Sequence, residues 1–80
     1  MELRDRVLIA RRRKHMSQED VARAVGVSVN TIARFERGEI QDLRAQILKR
    51  IAQALEVSAD WLLGMTPDEE DEEHLARAGA

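Results

Sequence analysis

Eighty residues with no cysteine describe one small domain without disulfides or thiolate metal sites, a composition that fits a cytosolic protein. No apolar run approaches the ~20 residues of a membrane span, and the opening MELRDRVLIARRRKH is broken by charges too often for a signal peptide. The net charge of −2 divides unevenly: residues 1–66 hold 12 Lys/Arg against 9 Asp/Glu, and residues 67–80 hold 1 Arg against 6 acids. A body of net +3 thus precedes a tail of net −5, and an acidic whole-chain balance does not exclude phosphate contacts, which depend on local charge.

The stripe Leu3, Val7, Ala10 predicts a first helix from Leu3 to about Lys14. The run Arg11-Arg12-Arg13-Lys14 has two readings: a nucleic-acid patch, or cations favouring a helix C-terminus on a solvated face. A second helix spans about Gln18 to Val25, with Val21, Ala22 and Val25 on one face. Ser17 is its N-cap, Asp20 completes a capping box, and Met16 stands where a hydrophobic staple would. Gly26 ends it where a sharp turn needs positive φ. Val27 follows as an apolar plug, and Ser28 caps a third helix of about Ser28 to Arg37. Ile32 and Phe35 point inward from that helix, leaving Val29, Asn30, Ala33, Arg34 and Arg37 outside. Ala22 is small where the two helices cross. Together these features make a helix-turn-helix, a motif that sets its second helix in the DNA major groove.

The outward residues then have specific chemistry. Val29 is apolar at an exposed position, which a thymine methyl would cover. Asn30 presents a donor beside an acceptor, the pattern that pairs with adenine N6/N7. Arg34, one turn on, forks onto guanine O6/N7 or reaches a phosphate. Ser28 and Thr31 bond phosphates or cap the helix. Gln18 lies in a first turn whose exposed N–H groups can take a phosphate. Plain solvation is the competing reading for Gln18, Asn30 and Arg34.

Gly38 stops the third helix and residues 39–42 form a short connection, with Asp42 placed to cap a fourth helix ending near Glu56. Its buried stripe is Ile47 or Leu48, Ile51, Ala52 and Leu55, with Lys49 and Arg50 solvated. Ser58 caps a fifth helix, SADWLLG, ending at Gly64. Trp61, Leu62 and Leu63 cannot all face inward from so short a helix. The surplus predicts a dimer contact, which would also support a core of marginal size. Thr66-Pro67-Asp68-Glu69 has the marks of a helix start, but the residues after it have almost nothing to bury. The expectation for 67–80 is a disordered or frayed acidic tail. Such a tail would reduce non-specific DNA binding, contact the chain's own basic surface, hold a protein partner, or merely keep the chain in solution.

The pattern Q-x-x-V-A-x-x-x-G-V-S-x-x-T-I-x-x-F-E-R-G, from Gln18 to Gly38, resembles the signature of the Cro/C1-type (XRE) repressor family. The resemblance extends from about Leu3 to Leu63. It implies an all-α, five-helix, lambda-repressor-like domain over residues 1–66. It also implies an ion pair between Arg11 and Glu36, a DNA contact by the Gln18 side chain, and a backbone contact by Arg44. The family usually carries more basic residues in the 39–42 connection, and Glu39 and Asp42 depart from that. The function implied is a sequence-specific double-stranded DNA-binding transcriptional regulator, expected as a repressor and a homodimer. Val29, Asn30 and Arg34 would read bases; Gln18, Ser28, Thr31 and Arg44 would hold phosphates; Trp61, Leu62 and Leu63 would meet the second copy. The alternatives are an antitoxin or protein-interaction adaptor on the same fold, or a restriction–modification controller protein. No catalytic, metal or cofactor site is expected: His15 and His74 are far apart, Gly26 and Gly38 form no phosphate loop, and Phe35 belongs to the core.

Overall fold

The computed structural model describes residues 1–66, which form five α-helices with no strand among them. The expected helix start at Pro67 and the acidic tail lie outside the described residues. Helix α1 (Leu3–Arg13) begins where the Glu2 N–H donates to Asp5 Oδ2 at 3.0 Å. It ends in a Schellman-type closure, the His15 N–H on the Arg12 carbonyl and the Met16 N–H on the Arg11 carbonyl, with His15 at φ 58°. Helix α2 (Gln18–Val25) opens with the expected capping box: Ser17 Oγ accepts from the Asp20 N–H at 3.0 Å, and the Ser17 N–H donates to Asp20 Oδ2 at 2.9 Å. Gly26 closes it in the left-handed conformation, φ 85°, where a Cβ would be strained.

Helix α3 (Val29–Glu36) starts from Ser28, whose Oγ accepts from the Thr31 N–H at 3.2 Å. Its apolar pair, Ile32 and Phe35, is buried, a contribution of about 1.5–3 kcal/mol per side chain. The stripe Val21, Ala22, Val25 of α2 is buried too, and α2 packs on α3 and on α4 (Ala45–Leu55). From α4, Ile51, Ala52 and Leu55 close the core, with Ile47 and Leu48 half-buried at its edge. Arg50 is exposed, as expected, and in addition sends Nη1 to the Val25 carbonyl at 3.3 Å, tying α4 to the end of α2.

One expected cap is absent. Asp42 does not start α4: the N-cap is Arg44, in extended conformation and without a side-chain cap bond. Ile40 and Leu43 both pack against the core, and seating them keeps residues 40–44 out of helix. Helix α5 (Ala59–Leu62) is a single turn capped by Ser58, whose Oγ accepts from the Trp61 N–H at 3.0 Å. Trp61 closes the core from below α1, with the Arg6 guanidinium 5.1 Å from its ring centroid.

Candidate nucleic-acid interface

The α3 face opposite Ile32 and Phe35 is bare in the subunit. Val29 is 43% exposed, Asn30 and Arg34 are exposed, and Ala33 and Thr31 are half-buried. Since Ile32 and Phe35 commit one side of the helix to the core, Asn30 and Arg34 are left on the outside by helical period, while Val29, three residues before Ile32, flanks the buried stripe at the helix start.

At the start of α3 the hydroxyls of Ser28 and Thr31 lie 2.9 Å apart, so each is already the other's partner. The pair uses one of its two hydroxyl protons internally. The other remains to donate, whichever residue carries it. Ser28 and Thr31 therefore offer one phosphate-type donor between them, not two.

Beneath α3 sits a nearly dry polar network. Arg11 meets Glu36 in a fork, Nε to Oε2 at 2.8 Å and Nη2 to Oε1 at 2.9 Å, with side chains 12% and 6% exposed. The third arm of Arg11, Nη1, donates to the Met16 carbonyl at 2.9 Å. Gln18 joins by donating Nε2 to Glu36 Oε1 at 2.9 Å. One carboxylate thus links α1, the first turn of α2 and the end of α3. Gln18 keeps one amide proton and its carbonyl oxygen for an outside partner, and its backbone N–H has no acceptor within α2. The Gln18–Glu36 bond was invisible in the sequence, where a glutamine and a glutamate 18 residues apart share no helical face.

Just past the end of α3, the Gly38 turn (φ 83°) brings Glu39 back over the last helical turn, its N–H bonded to the Arg34 carbonyl at 2.9 Å. A side chain at Gly38 would also collide with the Arg4 guanidinium, 2.5 Å from an ideal Cβ. The Glu39 carboxylate reaches Arg37 Nε at 2.5 Å and Arg34 Nε at 3.8 Å. The hydrogen bond from Arg37, helped by both positive charges, holds the Glu39 carboxyl below its ordinary value. The Asp20 carboxyl is lowered likewise, by the Ser17 backbone N–H first and its hydroxyl second.

Arg44 is exposed at the head of α4 with no carboxylate partner among the described residues. Thr31 and Arg44 line one cleft together with Ile40, Leu43 and Asp42, so the acid dilutes the positive charge there. Trp61 and Leu62, expected at a dimer contact, are 3% and 1% exposed inside the subunit. Of that trio only Leu63 presents its side chain, 51% exposed, followed by Met65 at 71%. Packing against α1 and α4 takes the other two. No group of three His, Cys, Asp or Glu among the described residues is placed to hold a metal ion, and no described helix is long and apolar enough to cross a membrane.

The helix-turn-helix family profile matches residues 8–62, from the middle of α1 through α5. The matched stretch contains both helices of the motif, the Gly26 turn, and the Arg11–Glu36 fork that joins α3 to α1. The chain belongs to the Cro/C1-type (XRE) helix-turn-helix family, and is a DNA-binding regulator of that type.

Proposed function

We propose that this protein represses transcription by laying α3 in the major groove of double-stranded DNA, two copies binding two half-sites. The observation that carries the reading is the uncovered face of α3, where Val29, Asn30 and Arg34 stand clear of the core. Val29 meets a thymine methyl, Asn30 an adenine edge and Arg34 a guanine edge. Phosphates are held by the first turn of α2 at Gln18, by the single free hydroxyl proton of Ser28 and Thr31, and by Arg44. The second copy docks at the end of α5 through Leu63 and Met65, the exposed apolar pair there. Residues 1–66 constitute the DNA-binding domain, and the acidic residues beyond them a separate tail.

Selection of bound duplexes from a random pool tests this directly. A palindromic consensus with half-sites about 34 Å apart is the expected result. Enrichment of no sequence by the folded protein refutes groove reading. Sedimentation of Leu63→Glu tests the interface: a folded monomer where the parent is a dimer supports it, and an unchanged dimer refutes it.

A further inference from the structure

The acid between Arg34 of α3 and Arg37 at its C-cap is not explained by stability. Glu39, Arg34 and Arg37 are all about half-exposed at their side chains, 47%, 47% and 58%. Exposed ion pairs of this kind contribute little, about 0–1 kcal/mol. An acid beside a surface meant for phosphates also opposes binding. Yet its position is built rather than loose. The Glu39 N–H is anchored on the Arg34 carbonyl at 2.9 Å, Gly38 supplies the left-handed turn, and Gln41 Nε2 braces that turn on the Gly38 carbonyl at 2.9 Å.

The contacts are also one-sided. Each carboxylate oxygen approaches a different arginine, and each approaches it at Nε. A carboxylate placed at Nε leaves open the far edge of the guanidinium, where Nη1 and Nη2 each direct one N–H along the side-chain axis. Those two nitrogens are the pair that forks onto guanine O6 and N7. A long arginine side chain loses rotamer freedom when it docks, and a fixed counter-charge removes part of that loss beforehand.

We propose that Glu39 is a positioning and specificity-setting residue of the DNA-reading face. It aims Arg34 at a guanine edge and keeps Arg37 from gripping the phosphates of any sequence. This rests on the groove-reading function proposed above. Both actions raise the same quantity, the ratio of operator binding to non-specific binding. One improves a base contact, and the other withholds a sequence-blind charge.

The test uses the full chain and its variants Glu39→Gln, Arg34→Ala and the double substitution, with the selected duplex, its single-base variants and a random duplex as probes. Circular dichroism and the thermal midpoint verify that each variant is folded. Glu39→Gln is expected to bind random duplex more tightly, with the slope of log K against log salt steeper by up to about 0.9. Its preference for guanine at the position read by Arg34 should fall by about fivefold or more. In the Arg34→Ala background the same substitution should leave that position's preference unchanged. Wild-type preference at that position and wild-type affinity for random duplex in Glu39→Gln overturn the inference, while leaving groove reading intact. A parent protein that prefers no duplex overturns groove reading and this inference with it.

Discussion

Replacing Arg11 by alanine is the sharpest perturbation of the frame that carries α3. The substitution removes three hydrogen bonds: the fork onto Glu36 at 2.8 and 2.9 Å and the bond to the Met16 carbonyl at 2.9 Å. Glu36, its side chain 6% exposed, would keep only the Gln18 amide. An uncompensated buried charge of that kind costs about 3–5 kcal/mol. A domain spanning residues 1–66 has a total stability of about 3–10 kcal/mol at typical values per residue. Arg11→Ala should therefore bring the protein to the edge of unfolding, with the thermal midpoint lower by at least about 12 °C. Replacing both partners, Arg11→Met with Glu36→Met, removes the stranded charge and should recover most of the loss. Urea unfolding at fixed protein concentration, followed by far-ultraviolet circular dichroism and the fluorescence of the single tryptophan, Trp61, measures both variants. A loss under about 1 kcal/mol for Arg11→Ala, or a double variant no better than the single one, refutes the account.

Three further outcomes are expected. Asn30→Ala and Arg34→Ala should each weaken binding to the selected duplex by about 1–3 kcal/mol and relax preference at one base, whereas Arg44→Ala should weaken all duplexes nearly alike; gel-shift titration separates the two patterns. His15→Gly should stabilise the fold by about 0.5–1 kcal/mol in urea unfolding, because His15 occupies the left-handed position after α1 where a glycine relieves the Cβ clash. Asp20 has a carboxyl lowered on folding, so its contribution is present above its unfolded value and disappears as pH falls through the lower folded one. Asp20→Asn should accordingly flatten the loss of stability in the acid range below about pH 4, measured as urea midpoints against pH.

The local elements around α2 and α3 were legible because their determinants are short-range. Ser17 with Asp20, Gly26 and Ser28 act on backbone groups within three or four residues, and a helical period sorts Ile32 and Phe35 from Asn30 and Arg34. The start of α4 was not legible, for the complementary reason. Asp42 has the right chemistry for a cap, but the packing of Ile40 and Leu43 keeps residues 40–44 out of helix, and packing is not a local property. Resemblance supplied the pairing of Arg11 with Glu36, which spacing alone would not show, and tertiary geometry added Gln18 to it.

By itself the chain determined where helices begin and turn, and which face of α3 stays out of the core, since caps, glycines and apolar period act over a few bonds. Only the tertiary structure decided how charges meet across distance. It placed Glu39 against Arg34 of α3 and Arg37 at its C-cap, sent Arg50 to the end of α2, and buried Trp61 and Leu62 while leaving Leu63 outside. Those outcomes depend on how helices are set against one another, and on turns such as Gly38 that fold a side chain back where no regular period leads.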